Sequence, residues 1–258
     1  MKTIRLICCV LFALAAFAAG AQDAETIVRN SRNRISADTV QSRSRMVITA
    51  KNGAVTERRI DQYSKDGPKG DRKVIIFQYP ESVANTRYLT MENGAGHNDQ
   101  WIFLPNLGRV RRIAASEGSG SFVGTDLSYD DIASTDRDAG LDIHTLLREE
   151  NHNGRPCYVI QSIPKDSSYQ YSKMILWIDR ENWVSHKIDL YDKRGILVKT
   201  MEILELKTVQ GILSPWRTKM TTLAAGTSTT INVEILEYNK NIPESVFTTS
   251  YLETGRAR

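Results

Sequence analysis

WIFLPNLGRVRRIAASEGSGSFVGTDLSYDDI, residues 101–132, is the stretch around which the rest of the chain is arranged. Trp101 to Leu104 is a short aromatic and branched run, and Pro105-Asn106 marks a strand stopping at a turn. Arg109 to Ile113 is a second short strand, joined through Gly108, and it places Arg109, Arg111 and Arg112 close together. Ala114 to Gly120 is small, polar and glycine-rich, the composition of a flexible hinge. Beyond it, Phe122, Val123, Leu127, Tyr129 and Ile132 are apolar but do not alternate as a strand would. Ser128 followed by Asp131 is a capping-box pattern for one short helical turn. Together these features predict a mobile, greasy flap tied to a sheet by a soft hinge.

On either side of the flap the chain reads as strands. Asp23 to Ile35 opens with an N-cap candidate and carries Ala24, Ile27, Val28 and Ile35 at spacings that share a helical face. Arg29, Arg32 and Arg34 occupy the other face. From Thr39 the period changes: Ser44, Met46, Ile48 and Ala50 alternate with Arg43, Arg45, Val47 and Thr49. Asn52-Gly53, Lys65-Asp66-Gly67-Pro68, Asn93-Gly94, Asn153-Gly154 and Gln210-Gly211 punctuate the runs as turns. Leu141 to Glu149 fits helix or strand by pattern, and the Asn153-Gly154 turn after it favours strand. Val184, His186, Ile188 and Leu190 are expected on one side of their strand, as are Trp216 with Met220, and Ile231 with Val233. The total is about ten or eleven strands at short spacing. Hairpin loops cannot make parallel crossovers, so the chain is a mainly β antiparallel meander. Pro243 to Phe247 closes it, and Thr254 to Arg258 reads as a frayed tail.

The outer limits follow from composition. Charged residues make up 25% and hydrophobic residues 41% of the 258, the balance of a globular protein. Lys2 and Arg5, the apolar run Leu6 to Phe17 and the small residues Ala19-Gly20-Ala21 form a secretory signal peptide. Cleavage after Ala21 leaves one domain over residues 22–258. The formal net charge of +4 falls to +2 without Lys2 and Arg5, and no basic-aromatic platform exists, so nucleic acid is not the partner. Cys8 and Cys9 leave with the signal. Cys157 is then alone and reads as a small buried residue in a strand.

Catalytic signatures are missing. His97, His144, His152 and His186 form no close metal pair, and Gly118-Ser119-Gly120-Ser121 has its serines out of register for an esterase elbow. No cofactor and no metal are expected, and the chain is read as a non-enzyme.

The tryptophan strand followed by LPNLGRVRRI and SGSFVGTDLSYDDI resembles the LolA-like outer-membrane lipoprotein-sorting proteins, in their divergent branch. GRPCYVI, MILWIDRENW and YDKRGILVKTMEIL extend the resemblance over nearly the whole mature chain. The resemblance implies a single strongly curved antiparallel sheet, an open half-barrel, with an N-terminal helix and a short helical lid over an apolar concave face. It implies a soluble periplasmic carrier of a lipid or a lipoprotein's acyl chains, receiving cargo from an inner-membrane transporter and passing it to an outer-membrane acceptor. Candidate lipid-lining residues on that reading are Met46, Ile48, Trp101, Phe103, Phe122, Leu127, Ile188, Trp216, Met220 and Val233. Arg109, Arg111 and Arg112 are candidates for docking on a membrane or partner, with a charge-protected strand edge as the alternative. An exported scaffold docking on a membrane transporter, without cargo, is the competing function.

Overall fold

A computed structural model describes residues 23–67, 70–92, 98–134 and 137–257. The expected signal peptide and the loop carrying His97 lie outside the described residues, as does Pro68 of one expected turn. Helix α1 spans Ala24–Arg32, shorter than the expected run to Ile35 because the chain leaves helical geometry at Asn33. The first six strands are β1 (Thr39–Thr49), β2 (Val55–Lys65), β3 (Arg72–Tyr79), β4 (Arg87–Met91), β5 (Asp99–Leu104) and β6 (Arg109–Arg112). Helix α2 (Tyr129–Ala133) lies in the connection to β7 (Asp142–His152). Six more strands follow: β8 (Arg155–Pro164), β9 (Lys173–Asp179), β10 (Ser185–Tyr191), β11 (Leu197–Val209), β12 (Ile212–Thr222) and β13 (Thr227–Tyr238). Helix α3 (Thr249–Thr254) is the last of the described elements. None of the described helices is long and apolar enough to cross a membrane.

All 13 strands join one sheet in the order β6-β5-β4-β3-β2-β1-β13-β12-β11-β10-β9-β8-β7, antiparallel throughout. The count is 13 where about ten or eleven strands were expected. The sheet is curved and does not close into a barrel. Asn153 and Gly154 both take positive φ (52° and 83°), the backbone of a two-residue hairpin, and this commits β7 to strand rather than helix.

The order has a geometric consequence. β6 and β7 follow one another in the chain but stand at opposite edges of the sheet. Residues 113–141 must therefore cross from one edge to the other, over one face. The lid is forced by topology, not appended to it.

Strand alternation sorts the apolar residues onto two faces. Beneath α1 and the lid lie Met46, Ile60, Ile75, Phe77, Tyr88, Ile102, Ile160, Leu176, Ile178 and Met220. On the other face, Val74, Leu89 and Phe103 are covered by Ile242, Val246, Phe247 and Leu252 from the C-terminal segment. The expected closing segment Pro243 to Phe247 is part of this cover, and of the expected frayed tail only Thr254 lies in a helix. Thr248 caps α3 by accepting from the Tyr251 N–H (3.1 Å), and Gly255 ends it in the left-handed region (φ 65°). A third cluster on that outer face holds Cys157, Val159, Ile175 and Trp177.

Candidate functional site: a covered hollow

The lid is built from local signals. Ser128 Oγ accepts from the Asp131 N–H (3.0 Å) and Asp131 Oδ2 accepts from the Ser128 N–H (2.8 Å), the reciprocal box that starts α2. Ahead of it, Phe122 drops fully buried onto the sheet among Phe77, Tyr88 and Tyr129, with ring centroids 5.5, 5.1 and 5.5 Å away. Offset and edge-on pairs of this kind add about 0.5–1.5 kcal/mol each beyond burial. Burial pushes the Tyr88 phenol far above its ordinary value, so its hydroxyl remains a donor, here to Gln100 Oε1 (2.8 Å).

Polar clasps then fasten the lid to distant strands. Asp126 accepts from Thr227 and from Thr229 Oγ1 (2.7 Å) on β13. Asp131 accepts from Lys199 Nζ (2.8 Å) on β11, and from Tyr171 Oη (2.8 Å) and Gln170 Nε2 (3.0 Å) ahead of β9. The side chains of Asp131 and Lys199 are only 6% and 16% exposed, so this is a mostly desolvated ion pair. Burial, followed by the charge of Asp131, drives the Tyr171 phenol well above its usual range.

The expected soft hinge is a correction. Residues Ala115–Glu117 form a 3-10 turn, and the Glu117 carboxylate accepts from the Ala114 N–H (3.1 Å) and from Arg111 (2.9 Å). Gly118 is buried with ordinary right-handed backbone, and a Cβ there would sit 2.3 Å from Asp130 Oδ1. The glycine is required by close approach of the lid helix, not by mobility. Composition alone does not separate these two uses of glycine.

Beside the lid, between it and α1, lies a cavity of about 1530 Å³. Its floor is apolar: Leu176, Ile188, Met201, Ile203 and Pro215 from β9 to β12, with Tyr238 at the end of β13. Its rim is charged with both signs, from Arg29, Arg112 and Arg137 to Asp38, Asp99 and Asp138. The expected all-apolar lining therefore describes the floor and not the mouth.

The ten candidate lining residues are dispersed by this geometry. Ile188 lines the cavity. Met46, Phe122, Leu127 and Met220 belong to the packed core on the same face, where neighbouring side chains already fill the space around them. Ile48 and Val233 are half-buried and share that face by alternation with Met46 and Ile231. Trp216 is half-buried under the Lys207 ammonium, 4.1 Å from its ring centre, away from the cavity. Trp101 and Phe103 lie on the opposite face, in and against the cluster roofed by α3. Every residue of Trp101-Ile102-Phe103 is apolar, so alternation was not readable there, and Ile102 is the one that faces inward. Floor residues Leu176, Met201 and Ile203 went unnamed: Met201 and Ile203 flank Glu202 in an alternating stretch that was the available signal, whereas Leu176 lies in the uniformly apolar run Met174 to Ile178.

The three arginines are likewise divided. Arg111 pairs with Glu117 (2.9 Å), Arg112 pairs with Asp99 and lies over the Trp101 ring, and Arg109 is exposed on the edge strand. Elsewhere, a bulge in β10 between Ser185 and Lys187 breaks the expected alternation. His186 accordingly meets Asp179 (3.1 Å) rather than siding with Ile188. Burial, opposed by that hydrogen bond, holds its pKa below the ordinary histidine value. Cys157 is fully buried, and burial pushes its thiol up to about 11, which fits a packing residue. Among the described residues no group of three or more His, Cys, Asp or Glu side chains is placed to hold a metal.

A curved, unclosed sheet with a lid and a helix over one face defines a LolA-like protein, and comparison places the chain within that class. A family model described as "Uncharacterized protein" matches residues 69–254, and the chain belongs to that family, a divergent LolA-like one. A DUF1329 family protein from Desulfovibrio piger is 28% identical, with a TM-score of 0.85 over 89% of this chain and 97% of that one. A putative outer membrane lipoprotein-sorting protein domain from Vibrio parahaemolyticus is 26% identical, with a TM-score of 0.84 over 89% of this chain and 98% of that one. A LolA superfamily protein from Nitrosomonas europaea shares the fold at 23% identity, with a TM-score of 0.73 over 90% of this chain and 100% of that one. No curated protein matches the chain.

Proposed function

We propose that the protein binds acyl chains of a lipid or lipoprotein in the covered hollow and carries them between the two membranes of the cell envelope. The observation that carries this reading is the apolar floor of a 1530 Å³ cavity, left open beside a lid that already fills the rest of the concave face. Each methylene moved from water onto such a floor gains about 0.8 kcal/mol, so a chain of roughly fifteen carbons gains about 12 kcal/mol before ordering costs. That is enough for useful binding without any chemical step, and the reading is of a non-catalytic carrier. The relative from Vibrio parahaemolyticus, titled as a putative lipoprotein-sorting domain, supports the same cargo class. The route follows from the expected signal peptide: residues 22–258 act in the periplasm, between an inner-membrane donor and an outer-membrane acceptor.

Delipidated protein titrated with a fluorescent long-chain fatty acid tests the proposal. Saturable binding, displaced by an unlabelled lipopeptide and weakened by Ile188→Glu or Met201→Glu, is the expected result. Binding that does not saturate, or that ignores both floor substitutions, would remove the hollow from the function.

A further inference from the structure

Among the described residues that line the hollow, Arg34 is a cation that faces no carboxylate. Arg29, Lys65, Arg72, Arg112 and Arg137 all line the hollow, and each faces a carboxylate: Glu25, Glu244, Glu244, Asp99 and Asp142. Arg34 lines it too, and among the described residues it has no ion pair. Its Nη1 donates to the Leu213 carbonyl (2.6 Å) at the start of β12, and among the described residues no other acceptor takes its guanidinium. A guanidinium offers five N–H donors in a rigid fork, so most of this one is uncommitted.

Its place is as telling as its lack of a counter-ion. Arg34 follows the end of α1 and is pinned across the sheet to the β11–β12 hairpin, next to Tyr238 and Pro215 of the apolar floor. Tyr238 is buried and shares a hydrogen bond with buried Ser214 (Oγ to Oη, 2.8 Å). Burial pulls the Arg34 pKa below the ordinary arginine value, although arginine stays charged. Arg34 is half-buried, and a charge partly withdrawn from water beside apolar surface gains from a pairing anion.

We infer that Arg34 is the head-group anchor of the cavity, and that the cargo is an amphiphile whose long apolar chain ends in an anionic oxygen-rich group, a carboxylate or a phosphate. The inference rests on the carrier reading and adds to it the polar end of the ligand. The chain lies along Ile203, Met201 and Ile188, and the anion closes onto the guanidinium fork where the floor meets Tyr238.

Competition against a fluorescent fatty acid tests this with four unlabelled ligands: oleate, oleyl alcohol, lysophosphatidate and inorganic phosphate. Full-length mature protein and its Arg34→Gln and Arg34→Lys variants are compared, with thermal melting as a check on folding. Native protein should prefer oleate and lysophosphatidate over oleyl alcohol by about 10–100-fold, the span of a hydrogen bond to a charged group. Arg34→Gln should erase that preference while leaving oleyl alcohol unchanged, and Arg34→Lys should keep part of it. Should Arg34→Gln fail to fold, the oleate-to-alcohol ratio of native protein and of Arg34→Lys decides the matter. Equal affinity of native protein for oleate and oleyl alcohol overturns the anchor and leaves the carrier standing. A preference that survives Arg34→Gln overturns it as well. Inorganic phosphate competing as well as lysophosphatidate would reveal a free-anion site and overturn the lipid head group. Failure of every chain-bearing ligand to bind overturns the carrier reading and this inference with it.

Discussion

One face of one sheet is used in two ways. Under the lid, over β2 to β5, Phe122 is fully buried and wedged among Phe77, Tyr88 and Tyr129 in one packed cluster. A few strands away, over β9 to β12, Leu176, Ile188, Met201 and Ile203 look into a cavity. Both regions turn buried apolar side chains toward the covered face, so the sheet itself does not set the difference. The covering segment does. In one region it supplies a large aromatic and in the other it stands back on polar clasps. Whether a curved sheet forms a core or a container is decided by what its cover carries.

The strongest way to break this comparison is to hollow out the filled region. Phe122→Ala should cost about 3–5 kcal/mol, since a fully buried aromatic among three rings leaves a void. The loss is read from denaturant unfolding, and a cost under ~1 kcal/mol would mean that the lid is not packed as described. Asp131→Asn should come next, at about 2–3 kcal/mol, less than a fully buried pair because Tyr171 and Gln170 retain a partner. Hydrogen exchange in residues 122–133 should rise in that variant, and unchanged exchange would show that the Lys199 clasp does not hold the lid.

Gly118→Ala adds a methyl where Asp130 already sits and should cost about 1–3 kcal/mol. A neutral result would restore the flexible-hinge reading. Ile188→Ala sharpens the comparison from the other side. Its side chain borders empty space, so truncation should cost under ~1.5 kcal/mol, against about 2–5 kcal/mol for Met46→Ala in the filled core. Equal costs at the two positions would erase the distinction between core and container.

The smallest effect concerns pH. The folded His186 pKa lies below the ordinary 6.5, so as pH drops past that value the unfolded chain takes up a proton that the folded chain resists. Stability should fall over that acid range, and His186→Gln should flatten this part of the profile in thermal melts.

Much of this was legible from residues alone. Turn chemistry at Asn52-Gly53 and Asn153-Gly154 divides the strands, the Ser128–Asp131 box starts the lid helix, and Met46 and Ile188 fall on the covered face by alternation. What escaped is physically specific. Uniformly apolar runs such as Trp101-Ile102-Phe103 carry no face information. The bulge at β10 shifts His186 by one position, and no composition marks it. Glycine chosen for contact at Gly118 resembles glycine chosen for freedom. The short α3, announced by Thr248 and Gly255, falls between the expected closing segment and the expected tail and went unread. The charged rim could not be read at all, because Arg34, Asp99 and Asp138 converge only once the sheet has bent.

The strand order holds one more consequence. At mid-sheet β1 is zipped to β13, from Val40 against Tyr238 to Thr49 against Ser228. The earliest strand to emerge thus waits for the latest, and each half of the sheet ends in a raw border until synthesis is complete. A chain sewn this way has little chance of finishing its fold before its last strand is made, and its central seam is among the last contacts to close.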